Sequence, residues 1–201
     1  MSARVSALRR SALVIAALLG LQACGQGEQV VPPVPQGRAL QVASAGSANG
    51  IFVVPIGFND GVETWIAPDN STLSTRGGLV VATRGSGNDL MTAEVSGRLR
   101  MLKTGSTGGY DVFMTYLNPE GEEVLRTFYC EVVSRTPNQE INQRDGRRLL
   151  LTQVAERCTS PGIETQNLYW VDRSGTIYVS RQWIGGALGA LDIATMPAVA
   201  Q

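Results

Sequence analysis

Beyond Gly50 the chain alternates short β-branched and aromatic segments with turn residues, and this alternation limits the possible folds more than any other feature. The sequences Arg76-Gly77-Gly78 and Asn118-Pro119-Glu120-Gly121 are typical of tight turns between antiparallel strands. No segment after the first 23 residues sustains the 3.6-residue period of an amphipathic helix, so crossover helices between parallel strands are not expected. We therefore predict an all-β domain over residues 51–201, an antiparallel meander sheet curled into a partly open barrel with little helix. The predicted strands are 51–58, 63–67, 72–75, 79–83, 98–103, 110–117, 124–133, 147–157, 168–171 and 176–183, with one or two helical turns at 88–95.

Residues 1–23 have the composition of a cleaved secretory signal peptide. Arg4, Arg9 and Arg10 precede the apolar run 13–19, which is too short for a membrane span. Leu21-Gln22-Ala23-Cys24 then places a small residue directly before a cysteine. This ending resembles the lipobox of bacterial lipoproteins, in which the thiol takes a diacylglyceryl group and the new amino terminus takes a fatty acid such as palmitate. The alternative is an ordinary signal peptide that has a cysteine at this position by chance.

Lipid on Cys24 would anchor the mature chain in a bilayer, because acyl chains gain free energy with every methylene group that they bury. Gly25 stands where a signal for inner-membrane retention would resemble aspartate, which favours the outer membrane, with the domain facing the periplasm. Residues 24–50 are rich in Gly, Gln and Pro and are predicted to form a tether that buries little apolar surface. Docking of Val30-Val31 or of Leu40-Gln41-Val42 on the domain stays open.

Charge and composition exclude several classes of function. The signal peptide holds three of the 17 basic residues and none of the 17 acidic ones, so residues 24–201 carry a formal charge of −3. Such a chain lacks the basic surface that nucleic acids require. The sequence contains no histidine, which removes Ser-His and Cys-His catalytic pairs and the commonest zinc ligand. We expect no cofactor, no metal ion and no nucleic-acid partner.

Cys130 and Cys158 are the two cysteines that remain once Cys24 carries lipid. In an oxidising compartment such a pair favours a disulfide, and the alternative is two buried free thiols. Each cysteine lies on the apolar face of its predicted strand, so neighbouring antiparallel strands can bring the sulfur atoms together. The midpoint of the pair falls one or two residues before the Asp145-Gly146 turn, so the pairing requires a bulge or a longer loop. Glu156, on the same apolar face, is not explained by the pattern.

Two arginines, Arg84 and Arg181, lie on predicted apolar strand faces. A buried guanidinium needs a carboxylate or several carbonyl groups, because an unpaired buried charge is strongly destabilising. The candidate partners are Asp89, Asp172 and Glu63. The functional alternative is that the two arginines bind an acidic sugar or a partner chain.

Aromatic and acidic side chains suggest two further hypotheses. The tryptophans either pack in the core or stack on sugar rings; they are Trp65, Trp170 and Trp183. A glycosidase would need paired carboxylates, for which Asp111, Glu131 and the adjacent Glu122-Glu123 are candidates. Neighbouring residues of a strand point to opposite faces, and the adjacent pair lies beside a turn. Solvated side chains are therefore the simpler interpretation.

Several segments carry a family resemblance. They are Thr64-Trp65-Ile66, residues 79–85 with Asp89-Leu90, Tyr169-Trp170-Val171-Asp172 and Ser180-Arg181-Gln182-Trp183-Ile184-Gly185. Together with the spacing of Cys130 and Cys158, they resemble the YjbF/GfcB family of group 4 capsule polysaccharide lipoproteins over roughly residues 50–197. Gly186 replaces an expected proline, and the tail after Met196 lacks the usual basic residue. The resemblance implies an all-β outer-membrane lipoprotein, encoded with exopolysaccharide or capsule export genes, and it implies no catalytic residue.

The resemblance favours a non-enzymatic accessory factor in exopolysaccharide or capsule production or export, held in the outer membrane by lipid on Cys24. Its expected partners are an outer-membrane secretion barrel and co-encoded periplasmic proteins, with the polysaccharide itself as a further candidate. The second hypothesis is a periplasmic saccharide-binding module that uses Arg84, Arg181 or an exposed tryptophan. A third is a polysaccharide-modifying enzyme with a carboxylate pair.

Overall fold

The computed structural model describes residues 37–118, 120–143, 146–185 and 188–196. Cys24 and the predicted signal peptide lie outside the described residues, so lipidation and cleavage stay predictions. No helix in the described ranges is long and apolar enough to cross a bilayer. The elements are β1 (Ala39–Ser44), β2 (Ile51–Asn59), β3 (Val62–Ile66), β4 (Thr72–Arg76), β5 (Leu79–Arg84), β6 (Leu90–Ala93), α1 (Ser96–Thr104), β7 (Tyr110–Leu117), β8 (Glu123–Asn142), β9 (Arg148–Ser160), β10 (Ile163–Val171), β11 (Ile177–Gly185) and β12 (Gly189–Met196).

The strands form one antiparallel sheet in the order β5-β4-β3-β2-β1-β12-β11-β10-β9-β8-β7-β6. Strands β1 and β12 pair from Ala39 opposite Met196 to Ser44 opposite Leu191, and this pairing joins two meanders. The two edge strands, β5 and β6, follow each other in the chain and lie in contact, so the sheet curls until its edges meet. The predicted all-β fold, an antiparallel meander curled into a partly open barrel, is confirmed, and the sheet is nearly closed.

Antiparallel order places every second connection at the same end of the barrel. At the first end, which we call the helix end, lie the start of β1, the end of β12, α1 and the turns 60–61, 77–78 and 172–176. At the opposite end lie the connections 45–50, 67–71, 85–89 and 161–162. Gly175 approaches α1 so closely that a Cβ on it would stand 2.8 Å from the Cα of Lys103. The helix is thus packed against the turns at its end of the barrel.

The helix differs from the sequence prediction. Residues 98–103, which were predicted as a strand, belong to α1, and residues 88–95, which were predicted as helical turns, contain β6. Arg, Leu, Met and Lys are good helix formers, and a segment this short does not reveal a 3.6-residue period. Gly105 ends the helix in a left-handed conformation and donates its N–H to the carbonyl oxygen of Met101 at 3.0 Å.

The folded domain also begins earlier than the predicted boundary at residue 51. Residues 39–44, which we assigned to the tether, form β1 between β2 and β12. Leu40 and Val42 are buried there, so the short apolar segment docks as the open alternative allowed. The segment is too short and too close to Gly and Ser residues to stand out in the sequence.

The disulfide lies in the core of the barrel. Cys130 on β8 stands directly opposite Cys158 on β9, and the two sulfur atoms are bonded. Of the two predicted alternatives, a bulge or a longer loop, the structure has the bulge, because the pairing of β8 with β9 is irregular at two places between this register and the turn. Among the described residues, the bulkiest side chains with almost no exposed surface are Tyr169, Phe128, Leu79, Leu90 and Met101.

Candidate functional site

Glu156 occupies the centre of a polar cluster inside the barrel and has no exposed surface. Arg98 of α1 donates to both carboxylate oxygen atoms, from Nε and from Nη2, at 2.9 Å each. The Nδ2 of Asn167 donates to Oε2 at 2.6 Å, and the hydroxyl of Tyr169 donates to the same oxygen at 3.3 Å. A bidentate ion pair therefore accounts for the glutamate that the strand pattern placed on an apolar face. We call these four residues the Glu156 cluster.

The electrostatics of the Glu156 cluster keep its donors in place. Burial opposes the charge on Arg98, but the negative charge of Glu156 outweighs burial, and the pKa of the Arg98 guanidinium is raised above its ordinary value. Burial also raises the pKa of the Tyr169 hydroxyl well above its ordinary value. Arg98 thus remains a cation and Tyr169 remains a neutral donor throughout the physiological pH range.

The neighbourhood of the Glu156 cluster includes ligand atoms of the kind that bind metals. Atoms of Cys130, Glu156 and Cys158 lie within 4.8 Å of one another. The two sulfur atoms are joined in the disulfide, and Nη2 of Arg98 lies 3.7 Å from one and 3.6 Å from the other. A metal ion would meet a guanidinium and no thiolate there, so these atoms fit a structural role. The Glu156 cluster and the disulfide together connect α1 to β8, β9 and β10.

Arg84 and Asp89, which the sequence singled out, lie where β5 meets β6, a contact that we call the seam. Arg84 is exposed rather than on a buried face as strand alternation predicted, and the pairing of β4 with β5 is irregular near Val80. Arg84 donates from Nη1 to the carbonyl oxygen of Leu90 at 3.0 Å, and Leu90 donates its N–H to the hydroxyl of Thr83 at 2.9 Å. The Asp89 carboxylate accepts the N–H of Ser86 at 3.0 Å and its hydroxyl at 2.6 Å. These side chains take the place of a backbone ladder between the edge strands.

Gln182 on β11 reaches across the interior to β5 and is only 3% exposed. Its Oε1 accepts the N–H of Val80 at 3.0 Å, and its Nε2 donates to the carbonyl oxygen of Gly78 at 2.8 Å. The side chain therefore satisfies two backbone groups of an edge strand and holds opposite walls of the barrel together. Gln182 belongs to one of the segments that carry the family resemblance, and the strand pattern predicts no role for it.

Arg181 forms a bidentate ion pair with Asp192 on β12, at 2.6 Å and 2.8 Å. Asp192 was not among the predicted partners. The two side chains are 41% and 32% exposed, so the guanidinium is not buried as strand alternation predicted. The pairing of β10 with β11 is irregular beside Ile177, which shifts the alternation, and Ser180 and Gln182 face the core instead.

The carboxylates that were proposed as partners have other contacts. Glu63 accepts two hydrogen bonds from Arg38, at 2.7 Å and 2.9 Å. Asp172 accepts the N–H groups of Ser174 at 2.8 Å and of Thr176 at 3.0 Å, and so shapes the turn between β10 and β11. Neither residue is the partner of the arginine on β11.

Trp65 is a core residue. It is 3% exposed, and its Nε1 donates to the hydroxyl of Thr75 at 3.0 Å. The guanidinium carbon of Arg38 lies 5.6 Å from the centre of its ring system. Trp65 also lines a cavity of about 270 Å³ at the helix end, but its ring is too enclosed to stack on a sugar. Trp170 on β10 is half-buried.

Trp183 is the tryptophan best placed to meet a ligand. It packs edge-to-face against Phe128 and Tyr116, with ring centres 5.2 Å and 6.5 Å away. With Tyr116 it lines a cavity of about 290 Å³ near the opposite end of the barrel. The polar side chains of this cavity come from Asn88, Asn118 and Arg126.

The carboxylates considered for a glycosidase take part in an ion pair and a turn. Glu131 pairs with Arg157 across β8 and β9. Glu122 donates its N–H to Oδ1 of Asn118 at 2.7 Å and accepts from Nδ2 of the same side chain at 3.2 Å. Asp111 is exposed on β7. These carboxylates thus take part in contacts at the protein surface. A glycosidase would instead need two carboxyl groups that face the same cleft.

The fold and its buried contacts define the class of protein: a nearly closed antiparallel β domain that is held by one disulfide and by internally paired charges. A family model described as "Group 4 capsule polysaccharide lipoprotein gfcB, YjbF" matches residues 34–196, and the chain belongs to this family. The fold is similar to the crystal structure of the hypothetical lipoprotein YmcC from Escherichia coli K12, with a TM-score of 0.70 and 21% sequence identity. That match covers 84% of this chain and 87% of the other chain. The comparison with curated proteins finds no match.

The seam is expected to weaken in acid. Burial on its own would raise the pKa of Asp89, but hydrogen bonds from Ser86 and Gly85 and the charge of Arg84 outweigh it and lower the pKa. Because the folded-state pKa of Asp89 is lowered, its ionised carboxylate stabilises the fold at pH values above the unfolded-state pKa of about 3.9. This contribution disappears as the pH falls through the folded-state pKa.

We therefore expect Asp89→Asn to lower the free energy of unfolding by about 1–2 kcal/mol at neutral pH and by much less near pH 2.5. Urea denaturation at both pH values measures the difference from the parent chain. Asp111→Asn, at an exposed position of β7, is the matched control and should change stability little at either pH. An equal loss at both pH values for Asp89→Asn would contradict the assigned role.

Proposed function

We propose that this protein is an outer-membrane lipoprotein, acylated on Cys24, that serves as a non-enzymatic accessory factor in capsule or exopolysaccharide production or export. The observation that carries the proposal is membership of the group 4 capsule polysaccharide lipoprotein family over residues 34–196. The lipobox-like Leu21-Gln22-Ala23-Cys24 supports the anchor, and Gly25 supports the outer membrane. The domain would face the periplasm beside a secretion barrel and co-encoded periplasmic proteins.

The internal pairing of charges supports an accessory role rather than a catalytic one. Arg98 and Arg181 each bond to a carboxylate, and Arg84 bonds to backbone carbonyl groups of the seam. General acid–base chemistry needs a side chain that can exchange protons with a substrate. Arg84 and Arg181, the two arginines that sequence analysis singled out, instead bind groups within the domain.

The outer face of β7 and β8 offers a surface for a partner protein. Phe113, Leu125 and Tyr129 are 46%, 65% and 53% exposed, and the strand register places them on one face around Thr127. Neighbouring exposed apolar and aromatic side chains are typical of interaction sites. The disulfide lies on the inner side of β8, so this face rests on a rigid part of the barrel.

Deletion of the gene is expected to reduce polysaccharide at the cell surface under inducing conditions, because the export machinery would lack its anchored accessory factor. Sugar analysis of surface extracts measures the amount. A plasmid copy of the parent should restore it, whereas a Cys24→Ser copy, which cannot take lipid, should not. Unchanged surface polysaccharide in the deletion strain would contradict the proposed function.

A second candidate function is saccharide binding in the periplasm, and the cavity at Trp183 favours it. An aromatic wall formed with Tyr116, beside the guanidinium of Arg126 and the amides of Asn88 and Asn118, combines stacking with hydrogen bonding to hydroxyl and carboxylate groups. An acidic saccharide is the ligand class that this combination suits best. Arg84 and Arg181 are less suited, because both are engaged within the domain.

Calorimetric titration with acidic oligosaccharides tests this candidate. We expect binding to the parent chain that Arg126→Gln weakens about ten-fold or more, because the charged hydrogen bond to a carboxylate is lost. Arg148→Gln, an exposed arginine at the helix end, is the matched control and should leave the affinity unchanged. Binding to no acidic saccharide, or equal binding by Arg126→Gln, would contradict the candidate.

A further inference from the structure

The hairpin of β2 and β3 exposes large apolar side chains at its tip. Phe58 is 74% exposed, the largest value among the large hydrophobic side chains of the described residues, and Ile56 is 57% exposed. Gly57, which lies between them, and Pro55, which precedes Ile56, are exposed as well. The turn itself is made by Asp60 and Gly61, so the apolar side chains project just before a polar turn. Adjacent exposed apolar residues on a projecting tip are typical of a surface that contacts an apolar phase or a partner.

The tip lies beside the point where the chain enters the domain. Phe58 stands opposite Glu63 in the β2–β3 register, and Glu63 binds Arg38, which directly precedes β1. The chain that runs back to Cys24 therefore leaves the domain next to the exposed phenylalanine. The segment 25–37 can span at most about 45 Å even when fully extended. Lipid on the cysteine would hold the tip within that distance of a bilayer.

The helix end carries less negative charge than the opposite end. Its acidic residues Asp60, Glu63 and Glu140 are each paired with an arginine. Glu94 accepts the N–H of Ser96 at 2.9 Å, and Asp111 is exposed near the start of β7. Asp172 is occupied in its turn. Further positive charge at this end comes from Arg100, Lys103 and Arg173.

The opposite end of the barrel has the reverse character. Its connections and strand ends carry the carboxylates of Asp69, Asp89, Glu120, Glu122 and Glu164, which outnumber the guanidinium groups of Arg84 and Arg126 there. An anionic surface attracts a basic segment and repels an acidic one, so the two ends favour a single orientation on such a surface.

We propose that the helix end docks on the anionic surface of the membrane that holds the lipid of Cys24, with Phe58 and Ile56 inserted among the lipid headgroups. The inference rests on the acylation in the proposed function and adds an orientation to it. The acyl chains retain the protein in the membrane, and the apolar tip at the less acidic end fixes which way the barrel points. The cavity at Trp183 and the acidic end then face away from the bilayer.

Depth-dependent quenching of tryptophan fluorescence tests the orientation in the anchored protein. The mature lipoprotein is reconstituted in vesicles of phosphatidylethanolamine and phosphatidylglycerol that contain brominated lipids. Phe58→Trp places a probe at the tip, and Leu125→Trp places one at a similarly exposed apolar position on β8. The parent chain supplies the background of Trp65, Trp170 and Trp183.

We expect the added emission of Phe58→Trp to be quenched at least about two-fold more than that of Leu125→Trp, and to be shifted to shorter wavelength. Equal quenching of the two probes in protein that floats with the vesicles would overturn the orientation while leaving the anchor intact. Failure of the protein to float with vesicles in high salt would overturn the anchor, and the orientation with it. If the emission of the tip probe changes with a soluble acidic polysaccharide but not with vesicles, the helix end binds a saccharide, and docking on lipid is overturned.

Discussion

The ion pair between Arg98 and Glu156 is the contact on which the rest of the barrel depends. It is fully enclosed, it joins α1 to β9, and Asn167 and Tyr169 complete the hydrogen bonds of the carboxylate. Such a pair is worth little as a source of stability, because desolvation offsets much of the attraction, but removing one partner leaves an unpaired buried charge. The pair therefore fixes where the helix packs rather than simply adding free energy. A helix fixed there can pack against the turns at its end of the barrel.

Side chains rather than backbone ladders complete the barrel. At the seam, Arg84 and Thr83 bind backbone groups of Leu90, and Asp89 binds N–H groups of the connection between the two edge strands. Gln182 binds a backbone group of β5 from across the interior. Blocking both edges in this way protects a sheet of twelve strands from pairing with other chains. It also leaves the outer faces and the barrel ends as the surfaces available for function. The proposed roles accordingly lie at an end, on an outer face and in a cavity, rather than at the arginines that sequence analysis singled out.

Sequence reasoning predicted the features that depend on local signals. Residues 110–117 were predicted as the strand that became β7, and Arg76-Gly77-Gly78 forms the connection from β4 to β5, because alternation and turn chemistry act over a few residues. In the same way, strand alternation predicted that both cysteines face the core on neighbouring strands. Contacts between distant segments carried no such signal. Arg98 and Glu156 are 58 positions apart, and Gln182 and Val80 are 102 positions apart. A single irregularity in β10–β11 pairing was enough to place Arg181 on the other face, beside Asp192.

A double-mutant cycle at the buried pair tests the central claim most directly. Urea denaturation should show that Arg98→Met and Glu156→Gln each lower the free energy of unfolding by about 3–5 kcal/mol, and that the double variant loses clearly less than the sum. The exposed pair of Arg181 and Asp192, substituted in the same way, should lose no more than about 1 kcal/mol. Additive losses at Arg98 and Glu156, or losses as small as those of the exposed pair, would contradict the account.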